Sequence, residues 1–334
     1  MNVKCSDNFT LIRLVLAVGV LLVHNGGITN SDVLKPILSY LSGDVIVECF
    51  FVISGYLIVK SYMRNQRGFF YRRALRLLPA YYFCLSFIVF CASVVAMYCI
   101  GEHFFNLDLL KYIVANAVFM NFLHPALPGI FVDNPLTAVN GSLWTLKTEI
   151  ILYLSVPIFF YIYVRNKMLA FTLVCLVSVP WLFYFRCISD SPNARMMSLQ
   201  FVGMAAYFFG GALFAIVKNF IKLIPPIAVV SAICYMLAEG KELRFLSEYF
   251  LVVSSVLFCC LNIPLGFNFD KIGDFSYGIY LYNFPVIQLL YSLGLYNTHP
   301  YLSFGLSLIL TFFVASGSWY LVERRFLQLK SRVR

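Results

Sequence analysis

Few residues in this chain can do chemistry, and they stand out because their surroundings are apolar. His24 closes a hydrophobic run that begins at Phe9 and contains one charge, Arg13. Arg13 and His24 are eleven residues apart, close to three helical turns, so in a helix they share a face about 16 Å apart along the axis. A neutral imidazole there is either an interfacial residue or a general base. Arg13 has the plainer option of snorkelling to the membrane surface. Glu48 opens the next apolar run; it suits a helix N-terminus, and an antiparallel neighbour would bring it to the depth of His24. Glu149 lies about two turns into a later run, after Trp144 and Lys147, and a carboxylate at that depth needs a partner or a wet cavity. Between these runs lies a basic patch. Arg73 and Arg76 are spaced i,i+3, and Arg72 and Arg76 i,i+4, so three guanidinium groups crowd one helical face. They repel unless an anion sits among them, and a polyphosphate fits guanidinium geometry.

The elements that must position these groups are membrane helices. The chain has 334 residues, 61% hydrophobic and 12% charged, about half the charge of a soluble domain. Apolar runs at 9–24, 45–59, 77–100, 142–164, 168–186, 199–217, 223–238, 245–263, 273–293 and 302–321 predict an all-α, polytopic transmembrane bundle of about ten helices in a single domain, 1–334. No small-x-small cleavage site follows Val23, so the first run reads as a retained helix. The segment 109–123 is too short and too polar to span and reads as interfacial or re-entrant. Placing both termini in the cytoplasm puts 18 of the 25 Lys and Arg residues on the inner side, as the positive-inside rule favours. The net charge of +10 is therefore a topology signal rather than a nucleic-acid footprint. The cysteines mostly fall inside apolar runs, and only Cys99 and Cys187 are placed to meet outside the cytoplasm. His24, His103, His124 and His299 lack metal-ligand spacing, so no metal is expected.

Six short stretches, in order, carry a resemblance: NFTLIRLVLAVGVLLVH (8–24), VECFFVISGYLI (47–58), RRALRLLPAYY (72–82), SLWTLKTEIILYLSVP (142–157), FSYGIYLYNFP (275–285) and SWYLVERRF (318–326). On them the chain resembles the acyltransferase-3 family of integral membrane acyltransferases. Its size and pattern are similar to short bacterial, often prophage-borne, enzymes that O-acetylate lipopolysaccharide O-antigen and convert serotype, without an appended extracytoplasmic domain. The resemblance assigns catalysis to His24, the RxxR motif to Arg73 and Arg76, and the first-helix arginine to Arg13. It places an acidic residue at 48, where Asp is more usual than Glu, and Trp and Glu at Trp144 and Glu149. Asn283 stands where the family usually has His, so proton transfer there is excluded and only hydrogen bonding remains.

What the resemblance implies is transfer of an acetyl group from cytoplasmic acetyl-CoA to a sugar hydroxyl of a surface polysaccharide or lipid-linked glycan, at the outer face of the bacterial inner membrane. The CoA phosphates are expected on Arg72, Arg73 and Arg76, with Arg13, and the pantetheine arm is comparable in length to the Arg13–His24 separation. His24 is expected to act as base with Glu48 orienting it, and an acetyl-imidazole is the competing route. Trp144, Glu149 and Asn283 are expected on the acceptor side. The rival function is a transporter or flippase of a lipid-linked glycan, which would use intramembrane charges but not the arginine triplet.

Overall fold

The computed structural model describes residues 8–99, 104–264, 269 and 272–329. Among them there is no strand. The helices are α1 (Phe9–Thr29), α2 (Lys35–Leu38), α3 (Gly43–Arg64), α4 (Phe69–Cys99), α5 (Leu107–Ala117), α6 (Trp144–Arg165), α7 (Lys167–Phe183), α8 (Ala194–Ser198), α9 (Phe201–Ile216), α10 (Ile224–Leu237), α11 (Lys241–Leu261), α12 (Ser276–Ser292), α13 (Leu295–Thr298), α14 (Pro300–Ser318) and α15 (Arg324–Leu329). π-helical turns, Tyr184–Ile188 and Trp319–Glu323, extend α7 and α14.

Each of the ten apolar runs forms a helix, and eight of these helices are long and apolar enough to cross a membrane. The two that fall short, α9 with 16 residues and α12 with 17, bury most of their side chains in protein. The 109–123 segment yields α5, capped by the Asn106 side chain on the amides of Asp108 and Leu109. Its 11 residues rise only about 16 Å, too little for a crossing. Cys187 is a free thiol that donates to the Lys241 carbonyl at 3.7 Å, and the Cys99 side chain lies outside the described residues.

The chain packs as two compact units. The first gathers Met1–Arg13, Asp44–Phe69 and Thr148–Lys271. Within it α3 and α9 touch backbone to backbone. A Cβ on Gly55 would lie 1.7 Å from the Phe208 carbonyl oxygen, and one on Gly211 would lie 2.1 Å from that of Val52. Inside a membrane protein such close approach supplies the van der Waals contact that the hydrophobic effect does not. Gly55→Ala and Gly211→Ala must each push two backbones apart. Each is expected to lose about 1–3 kcal/mol of stability, read as a lower unfolding midpoint of the detergent-solubilised protein, whereas Gly305→Ala, inside α14 with nothing within 4 Å, should hold or raise the midpoint.

The second unit gathers Leu14–Gly43, Phe70–Lys147 and Ile272–Arg334. Its core sets Leu21 and Ile28 of α1 against Phe284, Ile287 and Leu290 of α12 and Tyr296 of α13. Along α14, Ser303, Ser307, Thr311 and Ala315 are buried at four-residue intervals. That row of small residues lets α12 approach, and a Cβ on Gly278 would lie 3.0 Å from the Ala315 Cα.

Candidate active site

α12 is the scaffold of the second unit's polar interior, and its sequence explains why. Pro285 has no N–H, so the Leu281 carbonyl one turn earlier loses its helical partner. The side chain of Asn140 fills that gap, donating Nδ2 to Leu281 O at 2.8 Å while its Oδ1 accepts from the Ser142 amide at 3.2 Å. One asparagine thus repairs α12 and starts the turn that leads into α6. Tyr280 adds hydrogen bonds to the Ser142 carbonyl and the Thr145 hydroxyl. One turn beyond Pro285, fully buried Gln288 donates Nε2 to the carbonyls of Leu136 and Ala138, both at 2.6 Å, and accepts from Asn134 Nδ2 at 2.7 Å. These bonds staple the 134–138 segment onto α12.

His24 is held against this scaffold. Its Nδ1 lies 2.5 Å from Asn283 Oδ1, and its ring meets Phe284 edge-on, centroids 5.3 Å apart. Gly141 leaves room for that phenyl ring, since a Cβ would come within 2.6 Å of it. The rotation of α1 is set by the next residue: buried Asn25 donates to Leu21 O at 2.9 Å and accepts at Oδ1 from the Tyr296 hydroxyl at 2.5 Å and the Ser307 hydroxyl at 3.2 Å. Arg13 lies half-buried on the same uninterrupted helix, α1.

The arginine triplet occupies the first two turns of α4, with Arg72 buried and Arg73 and Arg76 half-buried. The positive end of a helix dipole disfavours cations, so three of them there call for anions. One is internal: Arg76 pairs with Asp274 at 2.5 Å, and Asp274 also accepts from the Ser276 hydroxyl at 2.5 Å, at the start of α12. Trp144 is half-buried at the first position of α6.

The first unit holds the two acidic candidates. Glu48 is fully buried on α3, and its carboxylate pairs with Arg186, whose side chain is 16% exposed. Glu248 lies 3.9 Å from the same guanidinium, and the Tyr207 hydroxyl 3.5 Å from it. Arg186 sits in the π turn after α7; such turns re-aim side chains and recur at functional sites. Glu149 accepts from Tyr153 and, at 3.2 Å, from the Ser54 hydroxyl. It therefore has the partners its depth demanded.

The structure thus brings His24 to Asn283, and gives Glu48 to Arg186 and Arg76 to Asp274. Arg186, Asp274 and Tyr153 are partners to which the spacing of the candidate residues does not point. The available signal for Arg186 was its place at the end of an apolar run, a position that a carboxylate buried on another helix can exploit.

Comparison with known proteins gives a consistent result. The sequence profile of the acyltransferase-3 family, described as an acyltransferase domain, matches residues 7–323. An O-acetyl transferase of Shigella phage Sf6 is 29% identical over 98% of this chain and 97% of its own length. Nodulation protein 10 of Rhizobium leguminosarum bv. viciae is 25% identical over 97% of this chain and 94% of its own length. The peptidoglycan O-acetyltransferase OatA of Listeria monocytogenes is 27% identical over 74% of this chain and 45% of its own length. No solved structure matches the chain. With a profile match that runs nearly end to end over a multi-pass helical fold, the chain belongs to the acyltransferase-3 family.

Proposed function

We propose that this protein is an O-acetyltransferase of the bacterial inner membrane. It moves the acetyl group of acetyl-CoA to a sugar hydroxyl of a surface polysaccharide, with lipopolysaccharide O-antigen as the acceptor, and both its termini lie in the cytoplasm. The observation that carries this is His24 itself: an imidazole inside a membrane-spanning helix, held at one ring nitrogen by Asn283 and along its edge by Phe284. A residue with only a packing role would not need an amide acceptor buried for it on another helix. Two of the relatives are named for O-acetyl transfer, which favours the same chemistry.

A sugar hydroxyl is far too weak an acid to ionise at neutral pH, so it must lose its proton as it attacks. In the proposed step the imidazole of His24 accepts that proton while the sugar oxygen bonds to the thioester carbonyl carbon. The tetrahedral intermediate collapses, the C–S bond breaks, and the leaving sulfur takes the proton back from the imidazolium. The products are an O-acetyl sugar and free CoA thiol, and His24 ends neutral, as it began. Arg72 and Arg73, at the positive end of α4, bind the anionic end of the donor. Trp144 and Glu149 serve the acceptor, the indole offering a flat face to a sugar ring. The buried Glu48 is neutralised by Arg186.

The test is a comparison of surface polysaccharide from cells with and without the gene: base-labile acetyl esters should appear only with it, and their absence would sink the assignment. Arg73→Ala should weaken acetyl-CoA binding about tenfold or more, the loss of one charge-assisted phosphate contact. Arg76→Ala should do so too, and should also lower the unfolding midpoint because Asp274 loses its guanidinium. Titration of acetyl-CoA into solubilised protein separates the two effects, and unchanged affinity in Arg73→Ala would reduce the patch to a topology signal.

A further inference from the structure

We infer that Asn283 holds the His24 imidazole with its proton on Nδ1, leaving Nε2 as the nitrogen that exchanges protons with the reactants. Asn283 is fully buried, and both hydrogens of its amide nitrogen are engaged: Nδ2 donates to Ile279 O at 2.9 Å and to Tyr280 O at 2.7 Å. The opposite amide orientation would set Oδ1 against those two carbonyl oxygens, acceptor against acceptor. Oδ1 is therefore the atom that faces the ring, 2.5 Å from His24 Nδ1. Two acceptors cannot share that distance, so Nδ1 carries the hydrogen. A neutral imidazole has one N–H, and the other nitrogen keeps the lone pair. The geometry that sets this contact is itself fixed, since Asn25 ties α1 to Tyr296 and Ser307, and Phe284 packs on the ring edge.

Two consequences follow for the acetyl-transfer reading, on which the catalytic part of this inference rests. When Nε2 takes the hydroxyl proton, the imidazolium keeps its Nδ1–H bond to Asn283 and needs no reorientation. An amide cannot accept that second proton and pass it on, so the proton gained at Nε2 leaves from Nε2, to the departing sulfur. Asn283 is thus a positioning residue, and the shuttle uses one ring nitrogen.

Asn283→Leu and Asn283→Asp separate this role from simple packing. Both remove the two donations to α12 carbonyls, but only aspartate keeps an acceptor for Nδ1–H. With the ring nitrogens of histidine labelled with ¹⁵N, the four histidines give a tractable spectrum, and His24→Gln identifies the His24 signals by their loss. In wild type and Asn283→Asp, His24 Nδ1 should be protonated; in Asn283→Leu the proton should move to Nε2 or divide between the two. The kcat of Asn283→Leu should fall about tenfold or more, with KM for acetyl-CoA unchanged, and Asn283→Asp should retain more of it. A wild-type spectrum with the proton on Nε2, or leucine and aspartate variants that behave alike, would overturn the assignment. The wild-type spectrum decides the tautomer even if Asn283→Leu does not fold. It also needs no turnover, so acetyl transfer surviving in His24→Gln would refute the catalytic reading while leaving the tautomer to the spectrum.

Discussion

Acetyl transfer is expected to vanish when His24 is replaced by alanine, while the protein accumulates in the membrane at its normal level. Loss of a general base typically costs about 10²–10⁴-fold in rate, and the residue at the His24 ring nitrogen, Asn283, supplies no base. The fold should survive. The Phe284 contact is one ring edge, and the rotation of α1 is set by Asn25 rather than by His24. The measurement is base-labile acetate released from surface polysaccharide of cells carrying wild-type or variant gene, normalised to membrane-inserted protein. Acetylation persisting in His24→Ala at equal expression would remove His24 from the chemistry. His24→Gln belongs in the same series, since it keeps hydrogen-bonding capacity near Asn283 but supplies no base.

The largest effect on stability should come from the Glu48–Arg186 pair. Glu48 is fully buried, and its carboxylate pairs with Arg186. Arg186→Met strands that carboxylate in a poorly solvating interior, a loss of about 3–5 kcal/mol in comparable buried pairs, enough to deplete the folded protein. Glu248 cannot take over: it lies 3.9 Å from Arg186 and is an anion itself. Removing both charges of the central pair should restore most of the loss, because well-packed neutral side chains often match a buried ion pair. The double variant Glu48→Gln/Arg186→Met should therefore recover both its unfolding midpoint and its acetyl transfer. If it folds but stays inactive, Glu48 has a chemical role that its bond to Arg186 does not express. If Arg186→Met alone unfolds at the wild-type temperature, the buried pair contributes nothing to stability.

Hydropathy made much of this protein legible. Each of the ten apolar runs became a helix, α5 proved too short to span, and Arg13 and His24 share one uninterrupted helix, as their spacing required. These properties are local: they depend on residues within a few turns, and on which side chains tolerate lipid. The six motif stretches likewise pointed to the family that the near full-length match then established. What the chain order could not supply was which buried polar groups meet. His24 joins Asn283 across 259 residues, Arg76 joins Asp274 across 198, and Glu48 joins Arg186 across 138. The place of Glu48 in its apolar run gives its depth along the helix. Depth, however, leaves the rotation of each helix and the identity of its neighbours open. Those are settled by packing: by the glycines at 55 and 211 that let α3 and α9 meet, and by Pro285, whose missing hydrogen bond draws Asn140 onto α12. In an apolar medium nearly every segment is equally hydrophobic, so the register between helices rests on small residues and a few polar contacts, and only the tertiary structure reveals them.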